Sequence, residues 1–256
     1  MPLPTLVIAG AQKCGTSSLS ATLRQHPEIF MSKPKELHFF DRRFRKGLGY
    51  YTSHFADGAD HRHRGEATPV YMYDPEARRR MAKTLPDAKI VVILRDPVQR
   101  AYSHFWHERR LGREELTTFE EALAVEEERR ETGARIDRMK YSYVDRGRYL
   151  DQILSLVEGH GRDNVHVMLL EDLTQARVPT LRELLTFLDV DPAPAESVPE
   201  RWTNRYRVAT DDGRTQAQAY PPIDPTTRER LVEEFREPND RLAAWLGRDL
   251  SAWNKA

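Results

Sequence analysis

The run Gly10-Ala11-Gln12-Lys13-Cys14-Gly15-Thr16-Ser17-Ser18 joins a short apolar stretch to a helical pattern, and it carries the residue types that hold an anion. Glycine lets a backbone approach a phosphate closely. The free N–H groups at a helix N-terminus point at the anion, and the helix dipole favours negative charge there. Lys13 adds a point charge, and Thr16, Ser17 and Ser18 add hydroxyl donors. The nucleoside-triphosphate loop reads G-x-x-x-x-G-K-[ST], with Lys after the second Gly. Lys13 instead precedes Gly15 by two residues, so the run predicts an anion loop of a different kind.

Arg95 is the second candidate. It follows the apolar run 90–94, where the carboxyl edge of an open α/β sheet would lie, and such folds bind ligands at that edge. A guanidinium fork clamps a phosphate through two parallel hydrogen bonds. Ser103, about two turns into the helix that Pro97 opens, offers a hydroxyl. Two separated sites predict one ligand with phosphate groups at both ends, as in a nucleotide substituted at its 3′ and 5′ positions.

The elements that would position these residues are legible as runs and periods. Residues 6–9, 90–94 and 165–170 are short, continuous and rich in Val, Ile and Leu, as strands covered on both faces should be. Helical patterns fall between them, over 16–26, from Asp74-Pro75 to about Leu85, from Pro97 onward, over 149–158 and 180–188, and finally over 226–246. This alternation predicts an α/β fold, a central parallel sheet flanked by helices. Residues 112–140 are dense in charge and read as an exposed helix and loop; 191–224 read as loop.

The chain has 256 residues, which fits a single domain over 1–256. Lys+Arg and Asp+Glu balance at 40 each, which argues against a nucleic-acid binder. Cys14 is the only cysteine, so no internal disulfide forms. No stretch has the roughly 18 apolar residues of a membrane span, and the N-terminus lacks the basic region and cleavage site of a signal peptide. The expectation is a cytoplasmic protein, monomer or homodimer. A chain separated from a membrane anchor would read the same. His61 with His63, and His104 with His107, have metal-ligand spacings but no third partner at a telling distance, and no metal is expected.

In the order and spacing of its motifs, the sequence resembles the sulfotransferases that use 3′-phosphoadenosine 5′-phosphosulfate (PAPS). It is most similar to the branch of the heparan sulfate sulfotransferases and their bacterial relatives. Gln12 to Leu19 resembles that family's 5′-phosphosulfate loop, and Leu94-Arg95-Asp96-Pro97 through Ser103 its 3′-phosphate motif. Lys35-Glu36-Leu37-His38-Phe39-Phe40-Asp41 resembles the segment with the catalytic Glu. Lys46 to Tyr51, Glu66-Ala67-Thr68-Pro69-Val70-Tyr71, Arg236 to Asn239 and Leu246 to Leu250 also match.

The resemblance implies a P-loop-NTPase-like sulfotransferase fold and in-line transfer of a sulfuryl group from PAPS to an acceptor hydroxyl, leaving adenosine 3′,5′-bisphosphate. It makes Gln12, Lys13, Cys14, Gly15, Thr16, Ser17 and Ser18 the 5′ site, Arg95 and Ser103 the 3′ site, and Glu36 the base. Lys13 would stabilise the leaving phosphate, and His38, whose unperturbed imidazole titrates near neutrality, is the reserve base. Two departures stand out. Ala67 replaces a Lys common in the branch, and Gln216 to Tyr220 replaces a Lys-Gly-Arg loop. Arg205, Arg207 or Arg214 would have to supply the missing nucleotide contact. The losses argue for a small-molecule, saccharide or lipid acceptor less charged than a heavily sulfated polysaccharide. The rival readings are an ATP- and Mg²⁺-dependent phosphotransferase and a non-catalytic nucleotide-binding scaffold.

Overall fold

The computed structural model describes residues 2–197, 199, 207–209, 215–217 and 220–255. In chain order the elements are β1 (Leu6–Gly10), α1 (Thr16–Leu23), β2 (Ile29–Met31), a π-turn (Phe39–Arg43), α2 (Gly47–Ser53), β3 (His63–Ala67), α3 (Pro75–Thr84) and β4 (Lys89–Leu94). There follow α4 (Pro97–Arg110), α5 (Phe119–Ala124), α6 (Glu126–Thr132), α7 (Arg135–Tyr141), α8 (Tyr149–His160), β5 (Val165–Leu169), α9 (Leu170–Gln175) and α10 (Arg177–Phe187). The chain ends with β6 (Arg207–Ala209), β7 (Thr215–Ala217) and the long α11 (Pro225–Leu246). Two compact units result, residues 1–95 with 152–204, and residues 96–151 with 205–256.

The first unit holds an all-parallel sheet in the order β2-β3-β1-β4-β5, flanked by helices. Every residue of β1 is buried, and so are all but the first of β4, because a parallel strand in the middle of a sheet is covered on both faces. The expected strands at 6–9, 90–94 and 165–170 are therefore present. Two others were not announced: β2 is an apolar run of only three residues, Ile29 to Met31, and β3 has no apolar run, reading His-Arg-Gly-Glu-Ala. The helix α1 packs on β2 and β3, and α10 buries Leu181, Leu184 and Leu185 beside β5. Since the strands run in parallel, the segments following β1, β2, β3 and β4 all leave from one edge of the sheet.

The second unit packs α4 and α5 against α11 around Val98, Ala101, Phe105, Phe119, Tyr143, Leu231 and Phe235. Asp96 caps α4, accepting from the N–H of Val98 at 2.8 Å, with Pro97 at the first helical position. The charge-dense stretch 112–140 forms three short helices and is mostly exposed, as expected, but not throughout. Within it Glu114 and Glu126 are buried, 1% and 5% exposed, because each carboxylate is surrounded by donors. Glu126 accepts from the N–H of Val144 and Asp145, and Glu114 from Arg129, Tyr143 and Leu116.

Candidate active site

The loop between β1 and α1 is shaped by close packing at both ends. A Cβ on Gly10 would fall 2.5 Å from the Met72 side chain. Ala11 N–H donates to the Ile93 carbonyl at 2.8 Å, which carries the β1–β4 ladder into the loop. Cys14 N–H turns back onto the Ala11 carbonyl at 3.2 Å, and the Cys14 side chain is fully buried. Lys13 takes a left-handed backbone conformation, φ 72°. Gly15 follows at φ 95°, where a Cβ would lie 2.9 Å from Leu170 Cδ1. The backbone there favours glycine, and a Cβ would also have to push the end of the Leu170 side chain aside.

Gly15 is the N-cap of α1, and no acidic side chain lies in that helix's first turn to neutralise its N–H groups. Thr16 and Ser18 are buried, while Gln12, Lys13 and Ser17 are half-buried. The arrangement gathers helix N–H groups, hydroxyls and one ammonium around a tight turn, donor types that suit a phosphate or sulfate oxygen. Arg95 directly follows β4, the neighbour of β1, so it leaves the sheet at the same edge as this loop. Ser103 lies in α4 of the second unit, 6% exposed, with its Oγ 3.4 Å from the Tyr220 hydroxyl. Arg205 and Arg214 lie outside the described residues.

Glu36 and His38 lie between β2 and the π-turn, in the same unit as the loop. His38 is left-handed at φ 49°; among the described residues only Lys13, His38 and Asp189 are non-glycine with positive φ. Its Nε2 lies 3.3 Å from Glu36 Oε2 and its Nδ1 2.9 Å from Asp41 Oδ2. Lys35 Nζ reaches Glu36 Oε1 at 2.9 Å. The Glu36 side chain is 41% exposed, so a substrate can reach it, whereas Asp41 is buried. Burial works against the charge on Glu36, but the His38 bond and then Lys35 outweigh it and hold the carboxyl at about 2. Burial likewise opposes the charge on His38, and the bonds to Asp41 and Glu36 lift it to about 8.

Behind this turn lies a group that sequence reasoning passed over. Glu66, on β3, is 0% exposed. Its carboxylate accepts from the hydroxyls of Tyr51 at 2.5 Å and Thr68 at 2.6 Å, with Tyr71 at 3.3 Å. Burial pushes its carboxyl up to about 7 despite these bonds. Asp41 was also passed over; its place three residues after His38 was the available signal. Tyr51 and Tyr71 are both buried in the core, with Tyr51 stacked on Phe39 at 4.2 Å.

Among the described residues no helix is long and apolar enough to cross a membrane. The profile of the sulfotransferase domain family matches residues 3–216. A solved sulfotransferase from Alicyclobacillus acidocaldarius is similar over 100% of both chains, with TM-score 0.79 and 33% identity. Human heparan sulfate glucosamine 3-O-sulfotransferase 6 is 39% identical over 102 residues, 40% of this chain and 30% of that protein. The bifunctional heparan sulfate N-deacetylase/N-sulfotransferase 1 of Caenorhabditis elegans is 27% identical over 258 residues, 95% of this chain and 30% of that protein. The chain thus spans 30% of the length of each of these two curated relatives.

Proposed function

The chain belongs to the sulfotransferase domain family, and from that premise we propose that it moves a sulfuryl group from PAPS to the hydroxyl of a small-molecule, saccharide or lipid acceptor. The observation that carries the reading is the shared sheet edge. The loop after β1, with Lys13 and the start of α1, and Arg95 after β4 leave neighbouring strands together. That suits a nucleotide with phosphate groups at both ends.

The acceptor oxygen attacks sulfur in line. The bond from sulfur to the 5′-phosphate oxygen breaks, and that oxygen keeps the electron pair as adenosine 3′,5′-bisphosphate leaves. Lys13 and the N–H groups and hydroxyls at the start of α1 stabilise the charge gathering there. Glu36 takes the acceptor proton, with His38 as its partner and reserve. The chemistry resembles phosphoryl transfer, in which positioning and electrostatics do most of the work. Gln12, Cys14, Gly15, Thr16, Ser17 and Ser18 form the 5′ site in this reading, and Arg95 and Ser103 the 3′ site.

The test is transfer of labelled sulfate from PAPS into a panel of hydroxylated acceptors. Lys13→Ala abolishes transfer, and Glu36→Gln cuts it severely while nucleotide binding persists. Adenosine 3′,5′-bisphosphate raises the melting midpoint more than ATP with Mg²⁺ does. The reverse order would favour a phosphotransferase and end this reading.

A further inference from the structure

Glu66 has no part in the transfer step described above, yet it is completely buried and wired to the turn that carries His38. Tyr51 donates to its Oε1 at 2.5 Å, Thr68 to its Oε2 at 2.6 Å, and Tyr71 sits 3.3 Å from both oxygens. An ionised carboxylate only accepts, so each hydroxyl turns its single proton toward it. The hydroxyl lone pairs then face the other way. Tyr71 Oη accepts the N–H of Phe39 at 2.7 Å and of Phe40 at 3.4 Å, and Thr68 Oγ1 the N–H of His38 at 3.5 Å. On its far side the turn is held by its own backbone, with the His38 carbonyl accepting from Arg43 N–H at 3.0 Å.

We propose that Glu66 is a positioning residue for the catalytic turn: its carboxylate orients the Tyr71 and Thr68 hydroxyls so that their oxygens grip the main chain at His38 and Phe39, which aims His38 at Glu36. This rests on the reading of Glu36 as the base with His38 as its partner. The groups facing Glu66 are Tyr51 from α2, Thr68 and Tyr71 from the segment after β3, and Asp41 from the π-turn. Burial and the Asp41 charge both disfavour ionisation here, so a neutral side chain would serve stability better. A glutamine of the same shape offers one oxygen and an NH₂. Its NH₂ would need an oxygen that Tyr71 or Thr68 now gives to the main chain.

Glu66→Gln separates positioning from plain structure, because the two roles move stability and rate differently. Four quantities are compared with wild type: kcat and KM for PAPS at about pH 9.5, where His38 is neutral in both proteins, the melting midpoint at about pH 8, and the NMR titration of His38, assigned by its loss in His38→Gln. The expected result is kcat lower by roughly tenfold or more, KM for PAPS within about twofold, and a midpoint that does not fall. The His38 pKa should move from about 8 toward its ordinary value of about 6.5. A kcat within about threefold of wild type overturns the proposal, as does an unmoved His38 titration. If wild type itself transfers no sulfate, the sulfotransferase reading fails separately, and the His38 titration still decides the role of Glu66. Should Glu66→Gln not fold, Tyr71→Phe removes the oxygen that grips Phe39; a wild-type kcat and His38 titration in that variant would equally overturn the proposal.

Discussion

His38 Nε2 stands 3.3 Å from Oε2 of Glu36, and the contact sets the protonation of both groups. Glu36 is held at about 2 and His38 is lifted to about 8. Near neutral pH the candidate base is therefore a carboxylate masked by an imidazolium. Loss of the imidazolium proton removes the cation that stabilises the carboxylate and makes Glu36 a better base.

The rate of transfer should accordingly rise with pH through a limb centred near 8, the value to which His38 is lifted. Measuring kcat/KM from about pH 6 to about pH 9.5 checks this. His38→Gln should remove the limb while leaving a reduced, pH-insensitive rate. A flat wild-type profile would mean that the imidazolium does not mask the base.

Stability should run the opposite way. His38 has a folded value of about 8, above its ordinary 6.5, so its contribution is complete below about 6.5 and is lost as pH rises through about 8. That is worth about 2 kcal/mol. Glu66 has a folded value of about 7, above 4.5, so folding loses up to about 3 kcal/mol between about pH 4.5 and about pH 7. The depressed Glu36 acts only at lower pH, where stability is lost as pH falls toward about 2. The melting midpoint of a Glu66→Gln/His38→Gln double variant should thus gain on that of wild type as pH rises from about 5 to about 9, while His63, His160 and His166, whose imidazoles burial pushes down, act alike in both proteins. A difference between the two midpoints that stays constant over this range would refute the assignment.

What the sequence disclosed follows from which forces leave a local trace. The strands β1, β4 and β5 are apolar runs because their surroundings are apolar, and the loop at Lys13 and Gly15 is visible because a left-handed cap favours glycine. The helices starting at Pro75, Pro97 and Pro225 announce themselves through Asp-Pro caps. Strand β3 left no such trace. Its Gly65 and Glu66 are buried, but Glu66 is buried by hydroxyls that come from α2 and from the segment after β3, and no period records partners distant in the chain. Glu114 and Glu126 misled for the same reason, since a charge run looks solvated until its donors are in place. Glu36 and His38 were found through family resemblance, and the third member of their chain, Asp41, only through geometry.

Gly15→Ala should damage both fold and nucleotide site. The new Cβ would sit at φ 95° and 2.9 Å from Leu170 Cδ1, so either the backbone or the leucine must shift. A loss of about 1–2 kcal/mol in stability is expected from the backbone alone. The shift also moves the N–H groups at the start of α1, so the affinity for adenosine 3′,5′-bisphosphate should fall by about tenfold or more. Calorimetric titration reads this directly. Unchanged affinity would place the 5′ site elsewhere.

In the second unit, Glu114 should prove to be a packed residue rather than a surface charge. Its carboxylate accepts from Arg129 at 2.6 and 3.2 Å, from the Tyr143 hydroxyl at 2.7 Å and from Leu116 N–H at 3.0 Å. Burial pushes the carboxyl up, but Arg129, Tyr143 and Leu116 more than offset this and leave it below the ordinary range. Truncation to Ala frees Arg129 to turn toward water, since that side chain is 25% exposed, but it strands the Tyr143 hydroxyl, whose residue is 0% exposed. Glu114→Ala should therefore cost about 3–5 kcal/mol, a fall of roughly 10 °C in melting midpoint for a chain of this size. Glu114→Gln keeps an oxygen for Tyr143 and should cost about 1–2 kcal/mol. If Glu114→Ala instead stays within about 0.5 kcal/mol of wild type, the stretch 112–140 behaves as the solvated face that its charge density suggests.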